Sequence, residues 1–330
     1  MSTIREKLDQ LYAHADEAEE FERLAAEATT ADLRAQLQVI SQWLAARWVQ
    51  EFGALVEQAN PEVLSSILAE LRDRLATVQF DQGQQLTYWA QRAMALGSEQ
   101  AVREMNLAMP LPVDASISHE ATAVIKDVGF SVTDRIARAR RIAQAICSGT
   151  HDDVMMAVAA AYRAVHDVER ASRWITNHEV NYGSWQVASS LNAGSMWVAE
   201  RNACLHCIAY SGVVASSGNS FPPDLTYGSR PLTPWPNGVL RRPPLHPNCR
   251  CRITVWLGSD TDYSLSDALK REARRSVLKG WSLPSESEGA RLQAADRLLR
   301  RGAALPKSVE EQARRAVRRG HFVSRTVPKL

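Results

Sequence analysis

Four of the five cysteines fall into two short motifs, Cys204-x2-Cys207 and Cys249-x-Cys251, with 41 residues between them, and His246 stands three positions before the second pair. Cys147 lies apart. A CxxC turn sets two sulfurs about one metal ion's reach from each other. A second close pair can complete the tetrahedron of thiolates and imidazoles that Zn2+ takes in structural sites. The pattern therefore points to a structural zinc site with five candidates for four places. These are Cys204, Cys207, Cys249 and Cys251, with His246 as substitute for one of the last two, because a CxC bite is tight and His246-x2-Cys249 has the easier spacing.

Other chemistries compete for the same residues. Reduced thiols are ordinary small buried groups in a β core, and disulfides suit a chain that ends outside a reducing compartment; both readings stay open. Redox catalysis by the CxxC lacks a surrounding thioredoxin-like βαβ pattern. A zinc deaminase needs His-x-Glu and Pro-Cys-x-x-Cys, whereas here the first is absent and Ala203 precedes Cys204. A cysteine hydrolase with His206 or His246 as base has nothing to mark an oxyanion hole.

The elements that must position these groups follow from periodicity. Two strands are expected at residues 195–200 and 252–257, short, β-rich, bounded by turn residues and plausibly paired. They bracket the cysteine motifs. Between them, residues 211–244 are rich in Gly, Ser and Pro and too long for a featureless linker, so something must hold them, and a metal would close that loop. Upstream, apolar residues recur at helical spacing in runs through Leu8 and Leu11, Leu33 to Leu44, Val63 to Leu75, and 84–107, which gives four helices. Thr30 or Asp32 suits the cap of the second and Asn60 with Pro61 that of the third. Trp43, Trp48 and Trp89 fall on or beside these stripes as core or interface anchors. Met109-Pro110-Leu111-Pro112 breaks the pattern. Helix resumes near Ser118 and runs in pieces to about residue 193, with Thr150, Asp152 and Asp153 marking a new start. After residue 263 three more helices follow, the first ended by Gly280 and the last two Arg-dense on their outer faces.

The 330 residues carry Lys+Arg 39 against Asp+Glu 37 and are 45% hydrophobic, which excludes a chain disordered throughout. The net charge hides a gradient of −8 over residues 1–110, +2 over 111–260 and +8 over 261–330. A basic terminal segment is drawn to phosphates or acidic protein surfaces. No stretch reaches the ~18 apolar residues of a bilayer span, so no membrane partner is expected. No secretory pattern opens the sequence, and the chain is expected to fold in a cytoplasm.

The run Pro243-Pro244-Leu245-His246-Pro247-Asn248-Cys249-Arg250-Cys251-Arg252-Ile253, preceded by Cys204-Leu205-His206-Cys207 and Gly212, resembles the signature of the phage Mu F-like minor head protein, or head morphogenesis, family. Residues Ile175-Thr176-Asn177-His178-Glu179-Val180-Asn181 are similar to that family's helix ending in an Arg-Thr-Glu-type motif, and Met196-Trp197-Val198-Ala199 to its Trp-containing strand. The resemblance covers about residues 120 to 258. It implies a minor capsid protein of a tailed phage, not an enzyme, attached to the portal and the capsid interior and needed for head assembly or DNA delivery. The implied partners are the portal protein, the major capsid or scaffold protein and, through the basic tail, packaged DNA. Glu179 is expected to hydrogen-bond loop backbone near the cysteines.

The fold expected is mainly α with a small α+β subdomain. A helical N-terminal region at 1–110 serves portal or coat contact, a Mu F-like domain at 111–260 carries short strands around the Cys/His cluster, and a basic helical tail occupies 261–330. The alternative function is a zinc-containing nucleic-acid-binding protein that uses this tail.

Overall fold

The computed structural model describes residues 3–53, 59–107, 114–147, 149–229, 239–281, 286–302 and 305–323. Among these residues the elements run α1 (Ile4–Phe52), α2 (Pro61–Ala76), α3 (Gly83–Glu104), α4 (His119–Ala145), α5 (His151–Ser190), β1 (Gly194–Val198), β2 (Val214–Ala215), β3 (Arg252–Trp256), α6 (Asp260–Lys279), α7 (Glu288–Arg300) and α8 (Lys307–Arg319). The protein is mainly helical with one small antiparallel sheet. No helix among the described residues is long and apolar enough to cross a membrane.

Local chemistry sets most helix ends. Asn60 Oδ1 accepts the N–H of Glu62 at 2.9 Å, with Pro61 as the first residue of α2. Ser118 Oγ accepts from Ala121 ahead of α4, and Thr150 and Asp153 bond each other's backbone N–H reciprocally at the start of α5. Gly280 ends α6 in the left-handed region. The expected cap at Thr30 or Asp32 does not exist. Helix α1 runs through 49 residues because Thr29 and Thr30 are buried and donate their hydroxyls to the carbonyls of Ala25 and Ala26, at 2.8 and 2.7 Å, rather than ending a turn. Among the described residues up to 107 there are therefore three helices, not the four expected. The proline break at 109–112 lies outside the described residues.

Two compact units form, each from separated stretches of chain: Met1–Phe21, Gln91–Ser116 and Thr176–Leu330 in one, Glu22–Ala90 and Ile117–Ile175 in the other. These divisions are not the linear ones at 110 and 260. Helices α1, α3 and α5 each contribute turns to both units, so a change in composition along the chain does not mark an edge in packing.

The second unit is all-helical. Its core is built from Leu33, Leu37 and Leu44 of α1, Leu64 and Leu71 of α2, Val132 of α4 and Val165 of α5. Trp48 is buried in it, and Arg74 stacks over Trp43 at 4.2 Å, which makes both aromatics anchors of the core.

The first unit holds the sheet, in the order β2-β1-β3. The two expected strands are β1 and β3, paired antiparallel from Gly194↔Trp256 to Val198↔Arg252. β1 is buried on both faces: Trp197 points into a core with Tyr210, Phe221, Val277, Leu298 and Ala313, while Met196 and Val198 meet Leu11, Leu265 and Leu269 on the other side. The same unit brings α3 and α5 into contact through glycines. A Cβ on Gly97 would lie 1.8 Å from the carbonyl oxygen of Val180, and one on Gly183 would lie 2.0 Å from that of Met94.

The long loop is held by protein groups. Val214–Ala215 adds to β1 as β2, and Phe221 and Leu240 form a bridge. The Tyr210 hydroxyl donates to Pro222 O at 2.5 Å and accepts from Leu225 N–H. Arg297 of α7 donates to the carbonyls of Tyr227 and Gly228 at 2.7 and 2.9 Å. Residues 230–238 lie outside the described residues. Since α6, α7 and α8 close the core around this loop, residues 261–323 are part of the cysteine-bearing unit and not a separate tail.

Replacing Gly97 with Ala forces backbone apart between α3 and α5. A loss of about 1–3 kcal/mol is expected in urea unfolding, against which an Ala substitution at the open position Gly129 serves as control.

Candidate metal centre

The β1–β3 register explains why the two cysteine motifs meet. Val198 at the end of β1 lies opposite Arg252 at the start of β3, so the chain leaving β1 and the chain entering β3 share one end of the sheet. Leaving β1, residues 200–203 turn on a bond from Ala203 N–H to Glu200 O. Cys204 follows, and a bond from Ile208 N–H to its carbonyl carries the chain into a 3-10 turn at Cys207–Tyr210. Entering β3, His246 and Cys249 are joined by a Cys249 N–H to His246 O bond at 2.9 Å, and Cys251 directly precedes the strand.

All five expected residues are brought together, in two triads that share Cys207. Cys204, Cys207 and His246 form one, and Cys207, Cys249 and Cys251 the other, with the ligand atoms of each triad within 4.8 Å of one another. His246 Nε2 lies 3.3 Å from Cys204 Sγ and 3.1 Å from Cys207 Sγ, and Cys207 Sγ lies 3.6 Å from Cys249 Sγ. The four cysteines are free thiols, as is the exposed Cys147. Such a group could hold a metal ion.

The thiols differ in their protonation. A hydrogen bond from Cys207 and the imidazole of His246 push Cys204 down to about 4 despite burial. Its donor, Cys207, is raised well above the usual thiol range by that bond and those to Cys249 and Cys251. Burial opposes ionisation of Cys249, yet hydrogen bonds from Cys207 and Cys251 hold it well below that range. Cys251 is raised, chiefly by burial. His246 is raised by its bond to Cys204, against the opposing effect of burial. Cys204 and Cys249 are thus the thiols biased toward thiolate, the form in which sulfur binds a metal, and His246 would have to give up its ring proton to join them as a ligand.

Second partners fix the frame. Asn181 on α5 donates to Cys251 O at 3.1 Å and accepts the N–H of Ile253 at 2.9 Å, clamping the chain where it enters β3. Glu179, expected to hold loop backbone, is fully buried with Oε1 3.0 Å from His178 Nδ1. Asn181, two residues on, clamps the backbone at Cys251 and Ile253. Glu286 accepts the N–H of Leu205 at 2.9 Å and pairs at 2.8 Å with Arg291, which is buried and also donates to Ala203 O. Two arginines of the basic region, Arg291 and Arg297, therefore support the cysteine loop. His206 belongs to neither triad, and burial lowers its pKa.

Arg250, between Cys249 and Cys251, pairs with Glu19 and donates to Asn202 Oδ1 at 3.1 Å. Burial pushes the Glu200 carboxyl up to about 7; the positive charges of Arg250 and Arg252 lower it, and the negative charges of Glu19 and Asp16 raise it. A carboxyl whose folded pKa exceeds its unfolded value binds more protons when folded. Its stabilising effect is complete below the unfolded pKa of about 4.5 and is lost as pH rises to about 7. Glu200→Gln is therefore expected to remove that decline, leaving the variant about 2–3 kcal/mol more stable than the parent at pH 8 and closely matched at pH 4.5, as read from unfolding curves across the range.

No family model, no curated protein and no solved structure matches the chain.

Proposed function

We propose that the chain is a structural and assembly protein of the phage Mu F-like minor head type, and that its Cys/His cluster holds a structural zinc ion through Cys204, Cys207, His246 and Cys249, with Cys251 as the adjoining thiol. The observation that carries the metal reading is the convergence of these donors from two loops. Three of their separations, from His246 to Cys204 and Cys207 and from Cys207 to Cys249, are 3.1–3.6 Å and suit edges of a tetrahedron drawn with Zn–S of about 2.3 Å and Zn–N of about 2.0 Å. The donor set fits the ion chemically: three soft thiolates and one imidazole. Three thiolates around a dication leave one net negative charge, and the buried Arg291, which senses the charge of Cys204, offsets it. When bound, the metal cross-links the loop after β1 to the loop before β3, and the chain's own residues keep both loops in place.

The assembly reading rests on the resemblance of residues 243–253 and of the Cys204-x2-Cys207 motif to the head morphogenesis family. On this reading the partners are the portal protein and the major capsid or scaffold protein, the location is the capsid interior near the portal, and no residue has a catalytic role. Arg314, Arg315, Arg318 and Arg319, exposed on α8, would meet packaged DNA by counterion release. The same four arginines favour the second reading, a zinc-containing nucleic-acid-binding protein.

Elemental analysis of the anaerobically purified chain is expected to give about one zinc per chain. Cys207→Ser, which removes the thiol common to both triads, should abolish it, while Cys251→Ser and Cys147→Ser should retain it. A metal-free parent chain would overturn the zinc assignment. Quantitative mass spectrometry of phage particles from the source system should find the chain at about the copy number of the portal protein and far below the major coat protein. Complete absence from immature and mature particles would discard the assembly reading in favour of the nucleic-acid one. That reading in turn requires affinity that falls steeply with salt and is lost when the four α8 arginines become glutamine.

A further inference from the structure

After α6 the chain turns at Gly280 so that Trp281 is buried, and Phe322, just past α8, is buried beside it with its N–H donating to Glu288 Oε1 at 2.7 Å. An open groove of about 550 Å3 lies between the end of α6 and α8. Its α8 wall is a single helical stripe, Gln312, Arg315, Ala316 and Arg319, spaced i, i+3, i+4 and i+7. The floor is apolar: Leu278, Trp281, Ala316 and Phe322. The rim is cationic, with Lys279, Arg315, Arg319 and His321, and no carboxylate is among the described residues that line it. The ammonium of Lys279 lies 5.2 Å from the Trp281 ring; desolvation and the charge of Arg275 lower its pKa, and the charge of Glu272 opposes them only in part. Among the described residues neither Lys279 nor Arg319 has an ion-pair partner. Arg315 meets only the exposed Glu311 at 3.4 Å, a surface pair worth little and readily exchanged.

A concave apolar floor under unneutralised cations is the complement of a bulky apolar side chain flanked by carboxylates. We propose that this groove is a docking site for an acidic peptide segment of a partner protein that carries one or two large aliphatic or aromatic side chains. The apolar side chains fill the floor, and the flanking carboxylates take forked bonds from Arg315 and Arg319 and a charge contact from Lys279. The stripe from Gln312 to Arg319 is about 10 Å long, enough for three or four residues of extended peptide. A nucleic-acid backbone would satisfy the rim but leave the floor exposed to water, which favours a peptide. The proposal is independent of the cysteine site, since no metal-type residue lines the groove.

The test is fluorescence anisotropy of the full chain with a labelled Glu-Glu-Leu-Phe-Glu-Glu peptide and a charge-matched Glu-Glu-Gly-Ser-Glu-Glu control. Saturable binding of the first is expected, at least about tenfold tighter than the control, and at least about tenfold weaker in Arg319→Glu and in Lys279→Glu. Both positions lie outside the buried core, and unchanged melting of the variants separates lost binding from lost folding. Val323→Asn, at the exposed apolar edge of the groove, should weaken only the apolar peptide. Equal binding of the two peptides, or no binding of the first peptide up to about 1 mM, would each overturn the proposal.

Discussion

The pairing of β1 with β3 is the constraint on which the cysteine-bearing unit depends. Five residues on each side form the ladder, and its register places the exit of one strand against the entrance of the other. Without that register, Cys204 and Cys207 would have no reason to meet His246, Cys249 and Cys251, which lie some forty residues further along. The strands are buried on both faces, so a slip by one residue would carry Trp197 out of its packing against Tyr210 and Phe221 and drive Met196 into it. The apolar core thus specifies the register, and the register assembles the thiols.

Around this ladder, polar clamps do what burial alone does not. Asn181 satisfies a carbonyl and an amide of the chain entering β3, and Glu286 satisfies an amide beside Cys204. Arg291 and Arg297 reach from α7 to the carbonyls of the chain after β1 and of the long loop. Buried backbone groups in irregular segments need such partners, and here they come from α5, from α7 and from the approach to α7. Arg291 and Arg297 of the basic C-terminal segment are therefore structural, whereas Arg314, Arg315, Arg318 and Arg319 of α8 face outward.

Local signals were legible in the sequence and distant ones were not. Asn60-Pro61, Ser118, Thr150 with Asp153, and Gly280 mark helix ends through bonds within four residues, so their types announce their roles. The strands at 195–200 and 252–257 stood out by β-branched and aromatic content, and the five metal-type residues by spacing. The continuity of α1 was hidden because threonine caps helices at their starts and back-bonds within them, and only burial of Thr29 and Thr30 decides which. The clamp at Asn181 was hidden because its partners lie seventy residues away, and an asparagine on an apolar helix face carries no mark of what it will bond. The two-unit division was illegible for the same reason: α1, α3 and α5 look like ordinary helices along their whole length.

The interleaving of the two units has a consequence for the order in which the protein takes shape during synthesis. The all-helical unit uses nothing beyond Ile175, so all of its core side chains have been made while the strands are still to come. The cysteine-bearing unit begins with the first turns of α1 but needs Phe322 to close its core, and its bond between Glu19 and Arg250 spans 231 positions. Loop closure over such distances makes it the slow partner. Until Phe322 has been made, the thiols and the apolar faces of β1 are open to chaperones, to metal and to each other.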